Sequence, residues 1–334
     1  METVLTGITT TGTPHIGNYV GAIRPAVEAS RSGTTKNYFF LADYHSLVKS
    51  GDPEQMAPST LEIAASWLAA GLDPDQVVLY RQSDVPEIME LAWILTCVTA
   101  KGLMNRAHAY KAAVAENETA KDSDPDKGIT MGLFCYPILM AADILMFNAD
   151  KVPVGRDQKQ HVEMARDIAG RFNHHFGETF VLPEAVIDDD SAVLPGLDGR
   201  KMSKTYRNTI QLFLPEKQLR KAIMKIKTNS LEPGVPKDPE ACTIFAIYKA
   251  FAKGDDVDNM RRLYAEGIAW GEAKQMLFEH LNEQFGAART EYQRLLADPG
   301  YVEKVLIAGR DKAREFSTPF LGRIRKHVGL RALG

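Results

Sequence analysis

Two short polar stretches, set about half the chain apart, carry the residue types that handle phosphate. The first, Thr11-Gly12-Thr13-Pro14-His15-Ile16-Gly17-Asn18-Tyr19, follows the apolar pair Val4-Leu5. It reads as strand, glycine turn and helix start, because Tyr19 to Val27 repeats apolar residues at helical spacing. A helix start offers unpaired backbone N–H groups and the positive end of the macrodipole, both suited to phosphate. Glycine lets the backbone approach a ligand with no Cβ in the way. His15 and Asn18 add side-chain donors at the same place. The second stretch, Gly199-Arg200-Lys201-Met202-Ser203-Lys204-Thr205, puts Lys201 and Lys204 on a polar loop. Neutral donors at a helix start and cations that close over them are what a departing polyphosphate requires. Either stretch alone fits plain turn or solvated-loop chemistry; together they favour a site.

A third group lies on a helix predicted over 130–147. Tyr136, Met140 and Asp143 are spaced by four and three, so they share one face. The run from Tyr136 to Phe147 is almost wholly apolar. An acid there is costly unless paired. Asp143 could cap or bridge a lysine in the core; a ligand with a single N–H donor is the preferred explanation. Polar residues also collect where predicted strands end. Asp43-Tyr44-His45-Ser46 closes one strand, and Gly155-Arg156-Asp157-Gln158-Lys159-Gln160-His161 opens a helix after another. Open α/β sheets bind ligands at such carboxyl ends. His45 fits a capping or core role equally well.

Strands are predicted over 3–6, 37–43, 77–80 and 150–155. Helices are predicted from Gly17, over 56–70 and over 88–98, with Trp93 read as core. This alternation gives an α/β fold, a Rossmann-like parallel sheet with helices on both faces. Residues 113–128 are charged and rich in small residues, and read as a mobile loop or insertion. From Pro215 the pattern is helical throughout, a C-terminal all-helical domain. The expected division is 1–210 and 211–334. Arg289, Arg294, Lys304, Arg310, Lys312, Arg314, Arg323, Arg325 and Lys326 enrich the last part in cations. Such a surface is usually solvated, and can also hold nucleic-acid phosphates.

The 334 residues have a net charge of −3, so any nucleic acid is held by local patches rather than overall charge. Cys97, Cys135 and Cys242 are too scattered for a disulfide framework or zinc site, and point to a reducing compartment. Met1-Glu2-Thr3 does not begin a signal-peptide pattern. No run nears the roughly 20 apolar residues of a membrane span. Gly12-x-x-x-x-Gly17 is followed by Asn18-Tyr19, not Lys-Ser/Thr, which rules out a P-loop. The first strand lacks a G-x-G-x-x-G, which weakens a dinucleotide site. His161-x-Glu163 has no Pro-Cys-x-x-Cys partner, and the adjacent His174-His175 lack a Glu-x-x-His setting.

His15-Ile16-Gly17-Asn18 resembles the first signature of class I aminoacyl-tRNA synthetases, and Lys201-Met202-Ser203-Lys204-Thr205 resembles the second. From Leu5-Thr6-Gly7 through the C-terminal helices the chain is similar to the bacterial tryptophanyl family. Val152-Pro153-Val154-Gly155-x-Asp157-Gln158-x-Gln160-His161 matches that family closely. The resemblance implies ATP-dependent ligation of L-tryptophan to tRNA(Trp) through a tryptophanyl-adenylate. It implies Thr9, Thr10, Thr11, Gly17, Asn18 and His15 on ATP, and Gly155, Arg156 and Asp157 toward its ribose or adenosine. Val193 would lie against adenine, and Lys111 would fall near the phosphates. The loop Lys201, Met202, Ser203, Lys204 and Thr205 would close over the pyrophosphate, with Mg²⁺ sharing the charge.

For tryptophan it implies Tyr136, Met140, Asp143, Val152, Val154, Gln158 and His45. Related tyrosyl enzymes carry Gln where Met140 stands. A phenol needs a partner that donates and accepts, whereas indole has one donor only. A homodimer, a cytoplasmic location, no membrane attachment and no dedicated protein metal site are further implications. The family commonly has Gln-Pro-Ser at Thr9-Thr10-Thr11, and Ser followed by Asp-Pro at Thr205-Tyr206. Both departures leave the lysines in place. A nucleotidylyltransferase shares the H-x-G-type signature but has no need of the C-terminal helices. A silent RNA-binding paralogue conflicts with intact His15, Asn18, Lys201 and Lys204.

Overall fold

The computed structural model describes residues 1–48, 52–120, 124–187 and 193–330. Strand β1 (Glu2–Thr9) leads to helix α1 (Ile16–Asn18), which runs on as a π-helical turn at Tyr19–Ile23 and then as α2 (Arg24–Ser30). Next come β2 (Thr35–Ala42), α3 (Asp43–Ser46), α4 (Pro53–Ala69) and β3 (Val78–Arg81). Four helices follow: α5 (Glu87–Val98), α6 (Lys101–Met104), α7 (His108–Thr119) and α8 (Met131–Met146). They lead to β4 (Lys151–Pro153), α9 (Lys159–Phe176) and β5 (Glu184–Val186). The remainder is helical: α10 (Glu216–Met224), α11 (Thr243–Phe251), α12 (Asp255–Ala265), α13 (Trp270–Ala297) and α14 (Pro299–His327).

The strands form a parallel sheet in the order β3-β2-β1-β4-β5. The chain builds outward from β1 to β3, then returns to the other side of β1. That reversal opens a crevice at the carboxyl end of β1, where such folds bind ligands. Successive β2 residues point to opposite faces, as the two-residue period of a strand requires. Phe39 and Leu41 enter one core, Tyr38 and Phe40 the other. This is the two-faced sheet the sequence predicts.

Two expectations need correcting. Trp93 is not core but 68% exposed, beside the exposed Met89 one turn earlier. Ile88, Leu91, Ala92, Ile94 and Leu95 already supply α5 with a complete buried side, and Trp93 falls opposite it. Residues 113–128 are also not all loop. Helix α7 runs to Thr119, because Ala112-Ala113-Val114-Ala115-Glu116 is rich in helix formers. Asn117 Nδ2 then donates to the Pro125 and Lys127 carbonyls. Residues 121–123 lie outside the described residues.

Helix α14 returns to the start of the molecule and packs on β3. It places Val302 and Leu306 in one core, and Ala313, Phe320 and Ile324 in the other. Charged contacts fix its course. Arg81 makes a two-pronged bond to Glu303, Arg314 pairs with Glu87, and Arg325 with Glu90. At the crossing, Gly309 lies so close to β3 that a Cβ there would sit 1.7 Å from the Leu79 carbonyl oxygen. Gly309→Ala must therefore push helix and sheet apart. The expected loss is about 3 kcal/mol, as for overpacked cores, measured by urea unfolding of both proteins. An unchanged midpoint would show the crossing to be loose.

Candidate functional site

The first stretch is built around a reciprocal cap. His15 is the N-cap of α1: its Nδ1 accepts the Asn18 backbone N–H at 3.2 Å, and Asn18 Oδ1 accepts the His15 N–H at 3.0 Å. An Nδ1 that accepts carries no proton, so the imidazole proton sits on Nε2. Burial, and after it the nearby Lys204 charge, lower the His15 pKa to about 4. The ring is thus a neutral donor at pH 7. The π-helical turn that follows brings Gly21, Ala22 and Ile23 to the same cleft.

The second stretch is drawn to the first by backbone pairing next to it. Ile16 N–H donates to the Ile210 carbonyl at 3.0 Å, and Leu212 N–H to the Pro14 carbonyl at 2.8 Å. Asn208, 2% exposed, holds the lysine loop from within. It accepts the Ser203 N–H at 2.8 Å and donates to Asp198 at 2.6 Å and the Lys201 carbonyl at 3.1 Å. Lys204 Nζ reaches the turn of the first stretch, donating to the Thr11 carbonyl and, at 2.9 Å, to that of Gly12. Burial lowers its pKa, with Glu62 opposing.

Between the two stretches lies a cleft of about 650 Å³. That is the size of a cofactor or nucleotide site. Thr9, Thr11, His15, Gly17, Asn18, Val193, Lys201, Met202, Ser203, Lys204 and Thr205 all line it. The structure does not bring every expected nucleotide residue there. Thr10 is 3% exposed, with its hydroxyl against Ser46. Gly155 lines a different cavity, and Arg156 and Asp157 line neither. Lys111 lies on α7, away from both linings.

That second cavity, of about 510 Å³, adjoins the first and shares Gly7, Thr9 and Thr11 with it. His45, Tyr136, Met140, Val152, Val154 and Gln158 line it together, with Leu5, Phe40 and Ile144 adding apolar wall. Asp143 is fully buried behind His45 rather than in the lining. His45 Nε2–H donates to its Oδ2 at 2.8 Å, and Gln82 Nε2 donates to Oδ1 at 2.8 Å and Oδ2 at 3.0 Å. Burial raises the Asp143 pKa, while the bonds from His45 and Gln82 act against it. Gln82 is itself fully buried and accepts the Tyr44 N–H. Gln82 and Asn208 hold the two cavities in shape, yet neither has a motif or spacing that marks it in the sequence. Among the described residues no group of three or more His, Cys, Asp or Glu could hold a metal ion, and no helix is long and apolar enough to cross a membrane.

Comparison with known proteins gives this geometry a context. The profile of the tRNA synthetases class I (W and Y) matches residues 2–286. A tryptophan–tRNA ligase of Pseudomonas aeruginosa is 61% identical over 333 residues, covering 99% of this chain and 74% of that one. One from Neisseria meningitidis is 57% identical over 330 residues, covering 99% and 98%. Among solved structures, tryptophanyl-tRNA synthetase from Campylobacter jejuni, complexed with ADP and tryptophan, superposes with a TM-score of 0.90 at 43% identity. That match covers 98% of this chain and all of the other. The paired signatures, the parallel sheet and the two adjoining cavities are thus those of a family: the chain belongs to the class I tRNA synthetases, among the tryptophan–tRNA ligases.

Proposed function

We propose that the two adjoining cavities divide the work of a tryptophan–tRNA ligase, the polar cleft taking ATP and the apolar one L-tryptophan. The observation that carries this is their junction at Thr9 and Thr11, at the carboxyl end of β1. A carboxylate at the mouth of one cavity then meets the α-phosphorus at the mouth of the other. The carboxylate is already ionised, so attack needs no general base; positioning and charge stabilisation suffice. Carboxylate oxygen bonds to the α-phosphorus, the bond to the bridging oxygen breaks, and pyrophosphate leaves. In the second step a terminal ribose hydroxyl of tRNA(Trp) takes the tryptophanyl group and AMP departs.

In this reading Gly17 and Asn18 at the helix start, His15 Nε2–H, Lys201 and Lys204 act on the phosphates, and Val193 lies against adenine. Mg²⁺ bound with the ATP would share the pyrophosphate charge with Lys201 and Lys204; no carboxylate is among the described residues that line the cleft. Met140, Val152 and Val154 flank the indole, while His45 and Asp143 supply polarity for its N–H. Residues 1–210 carry this chemistry, and 211–334 would carry the tRNA contacts. The α14 cations paired with Glu87 and Glu90 serve the fold first.

The test is amino-acid-dependent ATP–pyrophosphate exchange. Tryptophan should support it far better than tyrosine or phenylalanine; exchange indifferent to amino acids would sink the reading in favour of a nucleotidylyltransferase. A homodimer in the cytoplasm completes the proposal. Met89, Trp93 and Cys97 form an exposed stripe at helical spacing on α5, and exposed aromatics of that kind favour interfaces. Trp93→Glu should convert the dimer to monomer in sedimentation velocity; a dimer that survives it places the interface elsewhere.

A further inference from the structure

Behind the apolar cavity a chain of four side chains runs in one direction. Tyr136 Oη lies 2.7 Å from His161 Nε2, His161 Nδ1 lies 2.9 Å from Gln158 Oε1, and Gln158 Nε2 donates to Asp157 Oδ2 at 3.0 Å. The terminal carboxylate accepts only, so the Gln158 amide must turn its NH₂ toward Asp157 and its carbonyl oxygen toward His161. That oxygen also accepts only, so His161 Nδ1 carries the proton. In the neutral ring Nε2 is then an acceptor, and the Tyr136 hydroxyl must donate to it. The Tyr136 hydroxyl, His161 Nδ1–H and one Gln158 N–H are thus committed along the chain. Tyr136 and Gln158 both line the cavity, and the oxygen of each keeps a lone pair that the chain does not use.

We propose that His161 is a positioning residue which, by ordering this chain, makes Tyr136 and Gln158 joint acceptors for the α-ammonium of the amino acid. The inference rests on the tryptophan reading of the cavity. An ammonium has three donors and no acceptor, so a pair of oriented oxygens selects it and repels a ligand that presents only acceptors there. His161 is 2% exposed and touches the cavity only through its neighbours. The groups facing it are Tyr136 on α8, His108 on α7, His45 on α3 and Asp157 in the turn before α9. Burial lowers its pKa, His108 and His45 add to this, and Asp157 opposes. The sign follows. Above that lowered pKa the ring is neutral and the order holds. As pH falls through it, Nε2 becomes a donor, Tyr136 must accept, and its O–H swings toward the ammonium. Tryptophan affinity therefore falls on the acid side.

The experiment compares L-tryptophan with indole-3-propionate, which lacks the amino group, on the full-length protein and on H161F, H161Q and H161N. Loss of charge-assisted bonds should raise the tryptophan KM of H161F about 10- to 100-fold, with kcat changed much less. Indole-3-propionate affinity should stay at the parental value, and the acid-side fall in tryptophan affinity should flatten. Asn offers a donor near Nδ1 and Gln an acceptor near Nε2, so H161N and H161Q should each recover part of the loss. Parental KM in H161F, or equal loss of both ligands in a folded H161F, overturns the proposal. Should H161F not fold, the H161Q and H161N ratios and the pH profile of the unaltered protein decide it in the same way. Absence of tryptophan-dependent exchange in the unaltered protein would overturn the functional reading itself, and is distinguishable from either result.

Discussion

Asp143→Ala should both loosen the fold and raise the tryptophan KM about 10- to 100-fold, the loss of a charge-assisted hydrogen bond. The stability loss should reach about 1–3 kcal/mol, the cost of leaving buried donors without an acceptor. The carboxylate is wholly buried and takes three contacts from His45 and Gln82. Without it, the Gln82 amide is left unsatisfied in the core and the His45 ring loses what fixes its proton on Nε2. With Asp143 present, the His45 proton is held on Nε2, which leaves Nδ1 an acceptor. Indole, a donor without an acceptor, suits that polarity. Phenylalanine, which has no donor, should be rejected less strongly by the variant. Denaturant unfolding and exchange with tryptophan, tyrosine and phenylalanine test this together. Parental tryptophan KM in a folded Asp143→Ala protein would mean that this buried pair does not shape the pocket.

Lys204→Ala should lower the single-turnover rate of tryptophanyl-adenylate formation by about 10²-fold, the usual effect of removing one donor from developing charge. Lys204 is the side chain that bridges the two signature stretches, through the Thr11 and Gly12 carbonyls. Its amine sits on the very turn whose helix start would hold the phosphates, and burial already disfavours its charge. An arriving polyphosphate relieves that penalty, most of all as charge builds on the leaving group. Tryptophan binding, confined to the other cavity, should change little. Equal single-turnover rates in variant and parent would remove the loop from catalysis.

The parts of the site made of contiguous residues were legible in the sequence. His15 to Asn18 and Lys201 to Thr205 each carry their own chemistry, and the parallel sheet follows from apolar strands alternating with amphipathic helices. Asp143 stood out because an acid in an apolar helix demands a partner; the partners themselves, His45 and Gln82, come from other elements. Gln82 and Asn208 were not legible, since a lone amide becomes structural only through what the fold sets around it. Trp93 was misplaced because α5 is apolar on nearly every side, and spacing alone cannot say which side meets the sheet. Of the α14 cations, Arg314 and Arg325 pair with Glu87 and Glu90, contacts over 200 residues away in sequence that spacing alone does not reveal.

That long-range contact bears on how the protein is made. Strand β3 is an edge of the sheet, and the helix that packs on it leaves the ribosome only after more than 200 further residues. Until residues 299–327 emerge, the nascent chain carries an uncovered edge strand and two cores short of Val302, Leu306, Phe320 and Ile324. Exposed edges and incomplete cores invite association between chains. The early half can therefore collapse during synthesis but cannot close until α14 joins it. Chains released short of this helix should be recovered as aggregates or chaperone-bound intermediates rather than as a smaller folded enzyme.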